Sequence, residues 1–301
     1  MTREAVSYAG LEPLDVPPYG QIWSSGSRQR DIARLASEVD EYFELGLSIP
    51  AGAVIVDVGA NVGMFAIAAA SRARDLHIVA IEPIPMFHAA LERNFARNRH
   101  LTGSCVSSTL LRAGISRDDA ERETVFTYFA RLPTDTTRHI DTKRAEFERV
   151  FAHHGSTAER GVSALLPGET GLLLAKLARR VVTSIPRRSV SRWIMDRVIG
   201  AEEIRCPMTT LARVLDDLGD RTVDVLKIDV EGAEVDVLFG ARDEQWDRIR
   251  QVVLEGTDLD GRLAEIRAFL TARGLTRQVV SEPATAASQG LESFLLLASR
   301  N

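Results

Sequence analysis

The run Val54-Ile55-Val56-Asp57-Val58-Gly59-Ala60-Asn61-Val62-Gly63 constrains this chain more than any other feature. Its apolar stretch is broken only by Asp57, the pattern of a strand covered on both faces, as in a parallel sheet with crossover helices. Gly59 and Gly63 then turn the chain into the helix-like MFAIAAASRAR, and a second buried run, HIVAIEP, completes a strand-helix-strand unit. Downstream, a helix fits Pro85 to Asn98 and a third strand fits Thr109 to Ala113. TVDVLKIDVEG and QVVLEG supply two more strands, and RQVV pairs with SFLLLAS as a terminal antiparallel hairpin. The expected fold is α/β and Rossmann-like, with a mostly parallel sheet and an antiparallel C-terminal strand.

Composition narrows the class. The 301 residues are 45% apolar and 26% charged, near the average for globular proteins, and no run of about 18 apolar residues could span a bilayer. The start, MTREAVSYAG, lacks the basic and apolar regions of a secretory signal, so a cytoplasmic location is expected. A net charge of -5 argues against general nucleic-acid binding. Cys105 and Cys206 form no CxxC pair and read as buried, inert thiols. The first thirty residues, rich in Pro, Gly and Ser, read as loop with at most a short strand. From Asp31 to Leu47 the residues Ile32, Leu35, Val39, Phe43 and Leu47 repeat with helical period.

In an open α/β sheet, ligands bind where strands end and helices begin. The turn after the first buried strand lies there, and its glycines allow close backbone approach. The second strand ends in Ile81-Glu82-Pro83, placing a carboxylate that can accept hydrogen bonds from both ribose hydroxyls. An adenosine-containing ligand follows. A dinucleotide calls for GxGxxG, whereas this turn is GxNxG preceded by Asp57, an acidic entrance suited to an amino group and a sulfonium.

The stretches VIVDVGANVGMFAIAAA, IVAIEPIPMFHAALERNFARN, MTTLARVLDD and VDVLKIDVEGAEVDVLFGA resemble the FkbM family of class I methyltransferases from about Gly46 to Gly256. The resemblance implies S-adenosyl-L-methionine as cofactor. It implies that Asp57, Gly59, Asn61 and Gly63 contact its methionine side and backbone, that Glu82 holds the ribose, and that Ile115 and Ser116 lie near the adenine edge. Ala60, Met64, Phe65 and Pro83 join the same cofactor set, and Asp229 borders it. Tyr42 and Phe43 are expected either to cover the pocket or to pack in the core. GISRDDAERETVFTYFARLPTDTTRH resembles, more loosely, family members attached to polyketide and nonribosomal peptide pathways.

Methyl transfer to a neutral hydroxyl needs alignment and help in removing a proton. Lys227, Asp229 and Glu231 alternate along LKIDVEG and would project on one side of an extended strand. Asp229 is expected near the cofactor or acceptor, with Lys227 and Glu231 as a supporting ion pair or substrate-orienting groups. Glu255, ending VVLEG, is an alternative base or metal ligand. A divalent cation between Asp229 and Glu255 is left open but not predicted, so no metal ligand is assigned. His139 is a further candidate base, and His88 is expected to face solvent.

The predicted organisation is an N-terminal loop and helix over residues 1–50, covering the pocket, and a methyltransferase domain over 51–301 with a helical insertion at about 131–206. Between Arg160 and Gly200 the insertion carries eight Arg or Lys against two acids. That basic stretch suggests a lid that docks an acidic acyl or peptidyl carrier protein, contacts an anionic membrane surface, or is simply solvated. The acceptor is expected to be a small molecule, methylated on oxygen. Alternatives are methylation at nitrogen or carbon, a noncatalytic cofactor-binding module, and a nicotinamide-dependent dehydrogenase.

Overall fold

The computed structural model describes residues 10–25, 29–104, 106–129, 136–153, 201–259, 261–282 and 293–300. An N-terminal hairpin pairs β1 (Leu11–Val16) with β2 (Gly20–Ser25), where the sequence suggested mainly loop. Helix α1 (Gln29–Glu44) follows, burying Ile32, Ala36, Val39 and Tyr42 at spacings of three and four.

The first buried run is β3 (Val54–Val58), every residue of which is buried. Helix α2 (Met64–Arg72) buries Met64 to Ala70 without interruption, because its small alanines let it lie between the sheet and α1. Then come β4 (His77–Ile81), α3 (Pro85–Arg97), α4 (Arg99–Gly103) and β5 (Ser107–Leu111). The fifth strand starts and ends two residues before the predicted Thr109–Ala113.

Residues beyond β5 build a second, three-stranded sheet that sequence periodicity did not reveal. In it β6 (Gly114–Ser116) runs parallel to β8 (Ala201–Thr210), and β8 runs antiparallel to β7 (Glu123–Phe129). The described part of the predicted insertion is therefore not all helical: α5 (Ile140–His153) fits that reading, but β8 begins inside its boundary. The basic stretch from Arg160 to Gly200 lies outside the described residues, as does Cys105.

The chain returns through α6 (Leu211–Asp217), β9 (Val225–Ile228), α7 (Glu234–Phe239), β10 (Gln251–Thr257), α8 (Arg262–Ala272), β11 (Arg277–Ser281) and β12 (Ser293–Ser299). The main sheet has the order β11-β12-β10-β9-β3-β4-β5. Strands β5, β4, β3, β9 and β10 are parallel, and β12 is antiparallel to both neighbours, as the terminal hairpin predicted. Successive strands step outward from β3 through β4 and β5, then restart at β9 on the other side. This reversal makes the carboxyl end of β3 the switch point at which α/β sheets open a crevice.

Two buried asparagines tie the hairpin to that crevice. Asn94 Nδ2 donates to the carbonyls of Trp23 (2.9 Å) and Val62 (2.7 Å), while its Oδ1 accepts from Trp23 N (2.7 Å). Asn98 Nδ2 donates to the carbonyls of Tyr19 and Gln21. The hairpin, α3 and the glycine turn thus share one polar joint.

Candidate active site

The glycine turn hangs from both neighbouring strands. The amides of Gly59 and Ala60 both donate to Ile81 O at 3.0 Å, and the amide of Asp229 donates to Val58 O at 3.1 Å. Gly59 (φ 78°), Asn61 (φ 50°) and Gly63 (φ 86°) all take left-handed backbone. Asn61 relieves its own turn, its side-chain oxygen accepting from Val62 N at 2.8 Å. At Gly59 the need for glycine is absolute in space as well, since a Cβ would stand 1.8 Å from the Asp229 carbonyl oxygen.

A pocket opens over this turn. Its wall includes Gly59, Ala60, Asn61, Met64, Phe65, Glu82 and Pro83, together with Ile115 from the second sheet. Ser116, expected beside Ile115, is instead fully buried, and its hydroxyl donates to the carbonyls of Asp118 and Thr209. Gly63 sits behind the turn against Leu91 and Phe95. From above, α1 contributes Arg34, Leu35, Glu38 and Val39. Tyr42 and Phe43 pack on Phe65 at centroid distances of 6.0 and 6.2 Å, behind the wall, and the Tyr42 hydroxyl donates to Glu255.

Glu82 is almost wholly buried at the tip of β4. Its two oxygens accept from the amides of Asn61 and Ile84, each at 2.9 Å. Burial outweighs these bonds and pushes the carboxyl up to about 7.

Asp57 is not at the pocket surface, contrary to the expectation of a direct ligand contact. It has no solvent exposure and lies 3.2 Å from the ammonium of Lys227, which also donates to Gly59 O at 2.7 Å and stands 3.4 Å from Asp229. The reason lies in the pleat: Asp57 and Lys227 are register partners on adjacent parallel strands, so their side chains share one face. Burial alone would lower the Lys227 pKa, but the carboxylates of Asp57 and Asp229 hold it up to about 12.

The anticipated Lys227–Glu231 pair does not form. Strand β9 ends at Ile228, and Glu231 has φ 51°, so the alternation assumed for LKIDVEG stops before it reaches Glu231. Glu231 pairs instead with Lys143 of α5 at 2.6 Å, a partner that nothing in the local sequence signalled. Lys227, Asp229, Glu231 and Glu255 nonetheless all line the pocket.

His139 does not line it. Its Nε2 is 2.9 Å from Asp236 Oδ2, and Asp236 is also held by Arg138 and Arg117. His88, expected in solvent, is buried. Cys206 is buried too, and burial raises its thiol to about 11, in keeping with an inert residue. Among the described residues no group of three or more His, Cys, Asp or Glu could hold a metal ion, and no helix is long and apolar enough to cross a membrane.

A parallel sheet in this order, with a glycine turn on β3 and an acid on β4, defines a class I Rossmann-like methyltransferase. The model of the methyltransferase FkbM domain matches residues 57–275, and the chain belongs to that family. It is accordingly an S-adenosylmethionine-dependent methyltransferase. Among curated relatives, it is 34% identical over 263 residues to the AMB antimetabolite synthetase AmbE of Pseudomonas aeruginosa, a match covering 85% of this chain but 11% of that protein. It is 29% identical over 248 residues to the 31-O-demethyl-FK506 methyltransferase FkbM of Streptomyces tacrolimicus, covering 82% of each. A solved magnesium protoporphyrin IX methyltransferase from Synechocystis with bound SAM aligns with a TM-score of 0.41 and 10% identity, covering 91% of this chain and 83% of that one.

Proposed function

We propose that this chain methylates a hydroxyl oxygen of a small specialised metabolite of polyketide or nonribosomal peptide type. The observation that carries the reading is that Asp229, Glu231 and Glu255 gather at one end of the pocket while Glu82 stands alone at the other. Carboxylates accept hydrogen bonds, so the first end suits hydroxyl donors and a cationic centre, and Glu82 suits a ribose diol. Beyond Glu82, on the side away from those acids, the apolar Ile84, Phe87, Ile115 and Phe126 offer a wall for a purine. The residues present therefore fit S-adenosylmethionine, which supplies, when bound, a methyl carbon on positively charged sulfur. The names of the two curated relatives, one an O-demethyl substrate's methyltransferase and one an antimetabolite synthetase, support the oxygen acceptor and the pathway type.

The test is transfer from ¹³C-methyl-labelled cofactor into an extract of the source organism, followed by carbon NMR of the labelled product. A methoxy signal is expected, and an N- or C-methyl signal would replace the reading. We further propose that the acceptor arrives tethered to an acidic carrier protein, docked by the basic stretch between Arg160 and Gly200. Carrier-bound acceptor should then turn over faster than free acceptor and lose its advantage at high salt. Equal, salt-independent rates would count against it. The free Cys206 fits a reducing compartment such as the cytoplasm.

Glu82→Ala should weaken S-adenosylhomocysteine binding by about 10- to 100-fold, since a hydrogen bond to a charged group contributes ~1.5–3 kcal/mol. Because the free carboxyl titrates at about 7 and the ribose needs the carboxylate, wild-type affinity should fall as pH drops below 7. Calorimetry between pH 6 and 8 checks this, and a flat profile would remove Glu82 from the ligand.

A further inference from the structure

The carboxylates at the acidic end differ in what holds them. Glu38 is bonded by Arg34 at 2.6 Å, Asp229 faces the Lys227 ammonium, and Glu231 faces the Lys143 ammonium. Each of these three negative charges is thus matched by a cation within 3.4 Å. Glu255 is held differently: it accepts from the neutral hydroxyl of Tyr42 at 3.0 Å, and no Lys, Arg or His among the described residues forms an ion pair with it.

The surroundings of Glu255 reinforce the distinction. From α1 it faces Tyr42 and Glu38, and from the loop after β9 it faces Asp229 and Glu231. On its other side, the paired strand β12 presents Leu295 as its register partner, with Phe294 beside it. Burial first, and then the charges of Asp229, Glu38 and Glu231, raise its carboxyl well above the ordinary range, while the Tyr42 hydrogen bond offsets part of that rise.

We propose that Glu255, oriented by Tyr42, is the general base that takes the proton from the acceptor hydroxyl. This rests on the hydroxyl reading above. The hydrogen bond occupies Oε2, and Oε1 has no hydrogen-bond partner among the described residues. The O–H proton passes to the carboxylate as a carbon–oxygen bond replaces the carbon–sulfur bond, whose electron pair stays on sulfur. A carboxylate and a sulfonium thus become a carboxylic acid and a neutral thioether, and the proton then leaves to solvent. Tyr42 is a positioning residue, because it is itself buried behind the wall.

Glu82, the buried carboxylate at the far end of the pocket, is badly placed for this step. Its strand lies three positions from β10 in the sheet, roughly 14 Å away at normal strand spacing.

The test compares Glu255→Gln, Glu255→Asp and Tyr42→Phe in the full chain, using an acceptor shown to give a methoxy product. Glu255→Gln should lose about 10²- to 10⁴-fold in kcat, the usual range for a general base, together with the acid limb of the pH–kcat profile. Glu255→Asp should recover part of the rate, and S-adenosylhomocysteine affinity should stay within about threefold throughout. Tyr42→Phe removes a bond that orients and favours the carboxylate, so its acid limb should move to higher pH and kcat above the limb should fall, though by less than in Glu255→Gln. A Glu255→Gln enzyme that methylates oxygen at near wild-type rate, or keeps the acid limb, overturns the proposal. A product methylated on nitrogen or carbon instead overturns the hydroxyl reading. A measurement independent of acceptor is NMR titration of the ¹³C-labelled Glu255 carboxyl with S-adenosylhomocysteine bound. A midpoint well above 4.5 is expected, higher still in Tyr42→Phe, and a midpoint at the ordinary value sinks the assignment.

Discussion

Gly59→Ala is expected to abolish measurable S-adenosylhomocysteine binding while leaving the cofactor-contacting side chains chemically intact. Two costs combine. Left-handed backbone at φ 78° costs a residue with a side chain about 1–2 kcal/mol. The new Cβ would also stand 1.8 Å from the Asp229 carbonyl oxygen, a separation no real pair of atoms tolerates. The tips of β3 and β9 must part, and the amides of Gly59 and Ala60 must leave Ile81 O or strain toward it. Either change displaces the backbone that frames the cofactor pocket. Calorimetry with a parallel thermal melt measures both consequences, and affinity within about threefold of wild type would show that the strand tips are not the frame of the site.

Lys227→Met should be among the most destabilising single changes in the molecule. It strips the cation from Asp57, which has no exposure, and releases the Gly59 carbonyl that Lys227 holds at 2.7 Å. Removing one partner of a buried pair typically costs ~3–5 kcal/mol, because the other charge remains uncompensated. For a domain of this size the melting temperature should fall on the order of 10 °C. Without the ammonium, the burial that already raises the Asp57 carboxyl is unopposed, so protonation relieves the variant and the loss should be smaller at pH 6 than at pH 8. Adding Asp57→Asn to Lys227→Met should restore part of the stability, a coupling that a double-mutant cycle reads directly. A single Lys227→Met melt within about 2 °C of wild type would mean that the pair contributes little.

Much of this architecture was legible because local pattern and tertiary environment agree. VIVDV and HIVAI read as buried strands and are buried, SFLLLAS pairs antiparallel with RQVV as read, and the helix over Pro85–Arg97 ends within one residue of its prediction. The turn from Gly59 to Gly63 and the acid at Glu82 were recognisable because both the chemistry and the spacing are local. What was not legible depends on long-range placement. The buried position of Asp57 follows from its register with Lys227, 170 residues downstream, which no local window contains. The second sheet escaped because β6 has only three residues and pairs with a strand more than eighty residues away. Glu231 misled because its left-handed backbone breaks the period-two alternation just where it was being counted. Lys143 and Tyr42 could be assigned partners only once α5 and α1 had been placed over the sheet.

The central claim is that the crevice between the β3 turn and the β4 acid holds the methyl donor, and titration of the purified chain with S-adenosylmethionine and with NADH tests it most directly. The account predicts saturable binding of the first to one site per chain, weakened by Glu82→Ala, and no binding of the second. Binding of NADH with no heat from S-adenosylmethionine would contradict it.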